Sequence, residues 1–121
     1  MSGKGSASGE RYLHTPDGRY FVVNGQLWRC SNPALPEDER QRLVNELMQA
    51  RRLVRQAKDS ADPALMKQAR ARVQAAKVGL GERGPVWWDD GSADFNRHKV
   101  KNSPYAQWFI EQGAGSRGEE E

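Results

Sequence analysis

The sequence has few of the residues that build common catalytic and metal sites. Cys30 is the only cysteine among 121 residues, so the chain can form neither an internal disulfide nor a cysteine-based zinc site. It has two histidines, His14 and His98, and contains no serine nucleophile elbow and no glycine-rich phosphate loop. These absences favour a protein that binds over one that catalyses, and we expect it to use no cofactor and no metal.

Long apolar runs are absent as well. Hydrophobic residues make up 36% of the chain and charged residues 29%, which predicts a folded protein with a modest core. The first residues are rich in glycine and serine and no apolar run follows them, so they match neither a signal peptide nor a membrane-spanning helix. We expect a cytoplasmic protein that does not bind a membrane.

The charges are distributed unevenly along the chain. Residues 36–83 carry eleven Lys or Arg against seven Asp or Glu, whereas residues 111–121 carry one Arg against four Glu. A basic middle is compatible with binding to a phosphate backbone, and it is equally typical of a solvated pair of helices. Composition therefore predicts a disordered leader at 1–10, a single α+β domain at 11–112 and a disordered acidic tail at 113–121.

Two turn signals divide residues 11–30 into three extended runs. Asn24 and Gly25 lie between two of these runs and favour a type I′ hairpin turn, because both residues tolerate a positive φ. The sequence PDG at 16–18 predicts the other turn, since proline fixes its own φ and glycine accepts a left-handed conformation. The region is predicted to form a three-stranded antiparallel β-meander.

Alternation of side chains assigns the two faces of the middle strand. Phe21 and Val23 fall on one face, and Tyr20 and Val22 fall on the other. Both faces are therefore apolar. We expect the helices to cover one face, while the C-terminal part of the chain or another chain covers some of the other.

Two amphipathic helices are predicted next. Apolar residues recur at spacings of three and four between 43 and 57, which indicates a helix from about residue 36 to about residue 58. Asp62 is a candidate cap for a second helix that runs to about residue 80. The short link between them makes the pair an antiparallel helical hairpin.

A short C-terminal helix is predicted after Ser103 and Pro104, ending at Gly113. The fold class is therefore α+β: a three-stranded antiparallel β-meander, then an antiparallel helical hairpin, then a short C-terminal helix.

Several segments carry a family resemblance. They are GRYFVVNG at 18–25, LWR at 27–29, SNP at 31–33, GPVWWDDG at 84–91, NRH at 96–98 and PY at 104–105. With these segments the chain resembles a family of small uncharacterised bacterial proteins, some of which carry the label of a Tol-type biopolymer transporter. The resemblance spans about residues 11–110. It implies a bacterial origin and a discrete domain, and it supplies no catalytic residue.

The segment that follows the second helix holds the densest set of polar and aromatic groups. Rings that offer stacking faces, next to cations that neutralise phosphates, are the pairing that single-stranded nucleic acid requires. Aromatic residues are also the bulk of many small cores, which is the interpretation we favour for Trp88, Trp108 and Phe109. The predicted ligand-binding residues are Trp87, Asp89, Asp90, Asn96, Arg97, His98, Lys99 and Tyr105.

The first helix carries a candidate basic ridge, formed by Arg51, Arg55 and Lys58. These residues step by four and three, so they share one helix face. Together with Arg97 and Lys101 they are the predicted nucleic-acid-binding set. Long basic side chains are also the usual solvent-facing residues of amphipathic helices, so the ridge is either a phosphate-binding surface or a solvated face.

A metal site is a further hypothesis. Asp94 and His98 are four residues apart, which would place both on one face of a helix, with Asp89, Asp90 or His14 as a third ligand. Such a set would serve a small metal-dependent hydrolase or nuclease that uses His98 and nearby carboxylates. The sequence shows no group paired with His98 for acid–base chemistry.

The sequence thus favours a non-enzymatic bacterial binding module for nucleic acid, using phosphate contacts and aromatic stacking. The alternative is a protein–protein interaction domain or homodimeric adaptor, in which another chain covers the spare face of the meander. The hydrolase or nuclease is the third hypothesis. The oligomeric state stays open.

Overall fold

A computed structural model describes residues 12–113. The predicted leader at 1–10 lies outside the described residues, as does the predicted tail apart from Gly113. Contacts within the chain group into two compact units, and each is treated separately below. The sheet unit comprises 12–30 and 91–113, and the helical unit comprises Ser31–Asp90. Within residues 12–113, no helix has the length and apolar character needed to cross a bilayer.

The predicted α+β class is confirmed, with its meander, its helical hairpin and its short C-terminal helix. The strands are β1 (Leu13–His14), β2 (Tyr20–Val23) and β3 (Gln26–Arg29), in the spatial order β1-β2-β3. The helices are α1 (Glu37–Ser60), α2 (Pro63–Leu80) and α3 (Ala106–Glu111), with a 3₁₀ turn at Val100–Asn102 that the sequence did not predict.

Both predicted turns of the meander are present. Asn24 and Gly25 have φ of 52° and 76°, the left-handed values that a type I′ turn requires. This two-residue turn sets the antiparallel register, in which Phe21 pairs with Trp28 and Val22 with Leu27. At the first turn Gly18 has φ of 75° and its N–H donates to the carbonyl of Thr15 at 2.9 Å.

The two faces of β2 differ in burial as alternation predicts. Tyr20 and Val22 are buried, together with their cross-strand partners Arg29 and Leu27. Their side chains form the inner face of the meander. Phe21, Val23 and Trp28 are only partly buried and form the outer face with their cross-strand partners. The C-terminal part of the sheet unit packs on the inner face, where the rings of Tyr20 and Tyr105 meet edge-on at 5.6 Å.

The helical unit is a hairpin that packs along its predicted apolar stripes. Leu43, Leu47, Ala76 and Leu80 form its core cluster. A Cβ at Gly79 would lie 2.8 Å from Leu43 Cδ2, so a larger residue there would force the Leu43 side chain to shift where the two helices approach closely.

The ends of both helices follow the chemistry of their capping residues. Proline lies one residue before α1 rather than at its first position, and α1 runs two residues beyond the predicted end at Lys58. The prediction for α2 is confirmed: the Asp62 carboxylate accepts a hydrogen bond from Leu65 N–H at 3.0 Å, and Gly81 ends the helix with φ of 90°.

Candidate functional site

The outer face of the meander carries a row of rings that crosses the strands. His14 is the cross-strand partner of Phe21, and Phe21 is the cross-strand partner of Trp28. The rings of His14 and Phe21 lie 6.0 Å apart, and Tyr12 stacks on Phe21 at 5.8 Å. Tyr12 and His14 are exposed, whereas Phe21 and Trp28 are partly so. These four side chains are called the aromatic row below: His14, Phe21 and Trp28 are cross-strand neighbours on one face, and Tyr12 stacks on Phe21.

Residues 96–100, called the edge segment below, lie along the otherwise open edge of β3. Leu27 N–H donates to the carbonyl of His98 at 2.9 Å, and Arg97 N–H donates to the carbonyl of Leu27 at 2.7 Å. Gln26 and Lys99 form an antiparallel bridge. The segment therefore lies beside β3 as a fourth strand would. It satisfies backbone N–H and C=O groups of β3 that an edge strand leaves without hydrogen bonds.

The edge segment places two cations beside the aromatic row. The Arg97 guanidinium lies over the Trp28 ring, with its central carbon 5.8 Å from the ring centroid, which is within range of a cation–π contact. Lys99 lies beside Gln26, on the same side of the sheet as Trp28. Both side chains are exposed. Arg97 thus continues the row by one position, because a guanidinium plane can stack on a base as a ring does.

A partly buried polar network holds the edge segment in register. Arg29 is 2% exposed and donates to the Asp94 carboxylate at 2.8 Å. The Tyr20 hydroxyl accepts from Phe95 N–H at 2.8 Å, and burial raises the pKa of Tyr20 to about 12, so the phenol stays protonated at neutral pH. The Asn96 carboxamide accepts from Arg29 N–H at 2.9 Å. These bonds fix Asn96 and leave Arg97, with its φ of 74°, to point its side chain over Trp28.

Tyr105 is held by a second set of contacts within the sheet unit. Its hydroxyl donates to the Asp17 carboxylate at 2.6 Å, and the other oxygen of that carboxylate accepts from Thr15 Oγ1 at 2.7 Å. Burial and this bond to Asp17 raise the pKa of Tyr105 above its ordinary range. The Tyr105 ring meets Tyr20 and Phe95 edge-on. The side chains of Tyr105 and Asn96 therefore have structural roles. The side chains of Arg97, His98 and Lys99, by contrast, belong to exposed residues that a ligand can reach.

The predicted ligand-binding set divides between the two units. Asn96, Arg97, His98, Lys99 and Tyr105 belong to the sheet unit, whereas Trp87, Asp89 and Asp90 belong to the helical unit. Within the helical unit, Trp87 and Trp88 meet edge-on at 5.1 Å, and a Cβ at Gly81 would lie 2.9 Å from Trp87. Trp87 thus packs against the end of α2. Trp88 is buried, as the core interpretation predicted, while Trp108 and Phe109 are partly buried.

The predicted basic ridge lies on one exposed face of α1. Arg51, Arg55 and Lys58 are all exposed there. A shallow, open depression beside it is lined by Arg52, Arg55, Gln56, Asp59 and Ser60. The ridge is accessible to a phosphate backbone, and the prediction that it binds one stays a prediction.

The premise of the metal hypothesis is wrong in one respect. Asp94 and His98 do not lie on a helix: residues 91–99 form an irregular segment, and residues 97–99 at its end pair with the open edge of β3. The Asp94 carboxylate bonds to Arg29 and to Asn96 N–H, and the His98 ring lies edge-on against Phe95 at 5.6 Å. Among the side chains of residues 12–113, no group of three or more His, Cys, Asp or Glu gathers as a metal site would require.

Sequence reasoning missed the aromatic row as a site. Tyr12, Phe21 and Trp28 were interpreted as strand residues alone, and His14 as a strand residue and a possible third metal ligand. A signal was present, because counting outward from the two-residue turn at Asn24 and Gly25 pairs Phe21 with Trp28 on one face. No pattern in the sequence predicted that Arg97 would lie beside Trp28.

Comparison with known proteins gives no relatives: no protein-family model, curated protein or solved structure matches the chain.

Proposed function

We propose that this chain is a non-enzymatic module that binds nucleic acid, with bases stacking on the outer face of the meander and cations of the edge segment contacting phosphates. The observation that supports the proposal most is the placement of the Arg97 guanidinium over Trp28, at the end of the aromatic row. Rings with an adjacent guanidinium are the combination that nucleic-acid-binding surfaces use.

The charges near the row support the same proposal. Among residues 12–113, no carboxylate forms an ion pair with Arg97, Lys99 or Lys101. Asp17 and Asp94, by contrast, already accept hydrogen bonds from Tyr105 and Arg29. The exposed charge of the edge segment is therefore positive, which attracts a polyanion.

Equilibrium binding of a labelled oligonucleotide at two salt concentrations tests the proposal. Affinity should fall steeply between about 50 and about 200 mM salt, because each phosphate contact releases condensed counterions. Arg97→Gln and Lys99→Gln should each reduce the salt slope by about 1. Absence of binding to both DNA and RNA at low salt would reject the proposal, as would binding that salt does not weaken.

The basic ridge is tested in the same assay by replacing Arg51, Arg55 and Lys58 with glutamine together. Contacts to phosphates carry no base information, so the triple variant should weaken binding to all sequences alike. An unchanged salt slope would show that the ridge is a solvated helix face.

A protein partner or a homodimer is the alternative that one specific observation favours. Phe21, Val23 and Trp28 leave an apolar surface partly exposed on the outer face. Sedimentation at high protein concentration, in the absence of nucleic acid, should show a monomer if the outer face serves nucleic acid. A dimer that Trp28→Thr dissociates would favour the alternative.

A further inference from the structure

We propose that the ligand of the outer face is single-stranded nucleic acid, with unpaired bases stacking along the aromatic row, rather than a duplex. This inference rests on the proposed function and narrows it to one class of ligand. It also assigns the contact to four residues that lie outside the polar segment, namely Tyr12, His14, Phe21 and Trp28.

The row runs across the strands. It crosses four neighbouring backbone segments, namely β1, β2, β3 and the edge segment. They contribute His14, Phe21, Trp28 and Arg97 in that order. Neighbouring segments are roughly 4.8 Å apart, so the row is on the order of 14 Å long. A surface of that length accommodates about two or three stacked bases, as aromatic residues on other sheets do.

The surface is a short sheet that carries rings. His14, Phe21 and Trp28 lie on strands of two to four residues, with their side chains on one face of the sheet. In a duplex the faces of the bases are covered by their neighbours, and only base edges are reachable in the grooves. Reading those edges takes a projecting helix or ribbon that enters a groove, whereas ring faces need bases that are already unstacked.

The cations lie at one border of the row. Arg97 lies over the Trp28 ring at one end of the row, and Lys99 flanks the neighbouring pair formed by Val23 and Gln26. Both charges therefore lie on the side of the edge segment and not along the middle of the row. They place the backbone phosphates along that one border, an arrangement that fits one strand better than two.

The test compares a short single strand with a duplex of equal length in the same buffer, using the full chain. The ring variants are Phe21→Thr and Trp28→Thr, which keep a β-favouring residue in each strand but remove the stacking face. Val23→Thr is the matched control, because it alters the same face without removing a ring. Far-UV circular dichroism of each variant establishes that the meander is intact.

We expect the single strand to bind at least tenfold more tightly than the duplex. Each ring variant should weaken binding of the single strand by about tenfold or more, since stacking of one base is lost. Binding of the duplex should stay unchanged in the ring variants, and Val23→Thr should bind both ligands like the parent. Arg97→Lys keeps the charge and loses the guanidinium plane, so it should weaken binding of the single strand and leave binding of the duplex unchanged. This variant replaces the ring variants in the test if one of them fails to fold.

Three outcomes would overturn the inference. Equal binding of duplex and single strand would do so, as would full single-strand affinity in both ring variants or in Arg97→Lys. A polyglutamate peptide that displaces the oligonucleotide and binds with an affinity similar to that of the single strand would show that negative charge alone is recognised. In each of these cases nucleic acid still binds, so binding of nucleic acid stands while base stacking on the aromatic row is rejected; no binding of either ligand would instead reject the proposed function as a whole.

Discussion

Replacing Asp94 by alanine should destabilise the sheet unit more than any other change to an exposed charge. The Arg29 side chain is 1% exposed, and its guanidinium donates to the Asp94 carboxylate at 2.8 Å, while the Asp94 side chain itself is 40% exposed. Removing one partner of a buried ion pair costs about 3 to 5 kcal/mol, because the remaining buried charge loses a direct partner. Since water already reaches Asp94 and Arg29 makes other interactions as well, we expect the lower end, about 3 kcal/mol.

The assay is urea unfolding of the full chain, followed by tryptophan fluorescence and circular dichroism. With an m-value of about 1 to 3 kcal/mol/M, a loss of about 3 kcal/mol lowers the midpoint by about 1 to 3 M. Asp89→Ala is the matched control, because this carboxylate is exposed in the helical unit and should change the free energy of unfolding by less than about 0.5 kcal/mol. If Asp94→Ala and Asp89→Ala had equal midpoints, the ion pair would not be what holds the edge segment on β3.

Three further predictions concern the local chemistry of single residues. Gly25→Val should cost about 1 to 3 kcal/mol of stability through backbone strain, since φ is 76° there. No atom lies within 4 Å of the added Cβ, so a steric clash does not contribute. Gly25→Asn should be nearly neutral when both variants are compared by thermal melting. Asp62→Ala should cost about 1 kcal/mol because the bond to Leu65 N–H is lost, and Asp62→Asn should retain most of it in the same urea assay. Partial burial acts to raise the pKa of Asp17, but hydrogen bonds from Tyr105 and Thr15 outweigh it and the net pKa is lowered, so this carboxylate contributes stability above its unfolded pKa of about 3.9 that is lost as pH falls through the folded value. Tyr105→Phe should reduce that acid sensitivity of the urea midpoint, and an identical pH profile would contradict the role given to the bond.

The parts of the fold that follow from neighbouring residues were predictable. Asn24 and Gly25 specify their turn because few residue types tolerate positive φ, and that turn then sets the strand register. The Asp62 cap and the apolar spacing of α1 and α2 are likewise local, so both helices were placed within a few residues of their observed ends. For these two helices the errors lie at the ends of α1, where Pro36 precedes the helix rather than opening it and the helix runs to Ser60.

The candidate site depends on contacts between distant residues, and these were not predictable. Arg29 N–H and the Asn96 carboxamide are 67 positions apart, and nothing in the periodicity of residues 91–99 signals that residues 97–99 pair with a strand. The spacing of Asp94 and His98 was interpreted as helical, because a spacing of four also suits a helix face. Tertiary hydrogen bonding to the open edge of β3 decided the conformation instead.

The aromatic row illustrates the difference between a face and a site. Alternation along β2 placed Phe21 on the face opposite Tyr20, and burial bears this out. Alternation does not predict that Arg97 lies at the end of that face. Arg97 reaches Trp28 only because the Asp94, Arg29 and Asn96 bonds hold the edge segment in place.

Mapping of chemical-shift changes by NMR during titration with a short single-stranded oligonucleotide tests the central claim most directly. The account predicts that the largest changes fall on the Trp28 indole, on the amide of Phe21 and on the side-chain Nε–H of Arg97, with smaller changes on α2. Changes confined to α1, or an outer face whose signals do not move while nucleic acid binds, would contradict it.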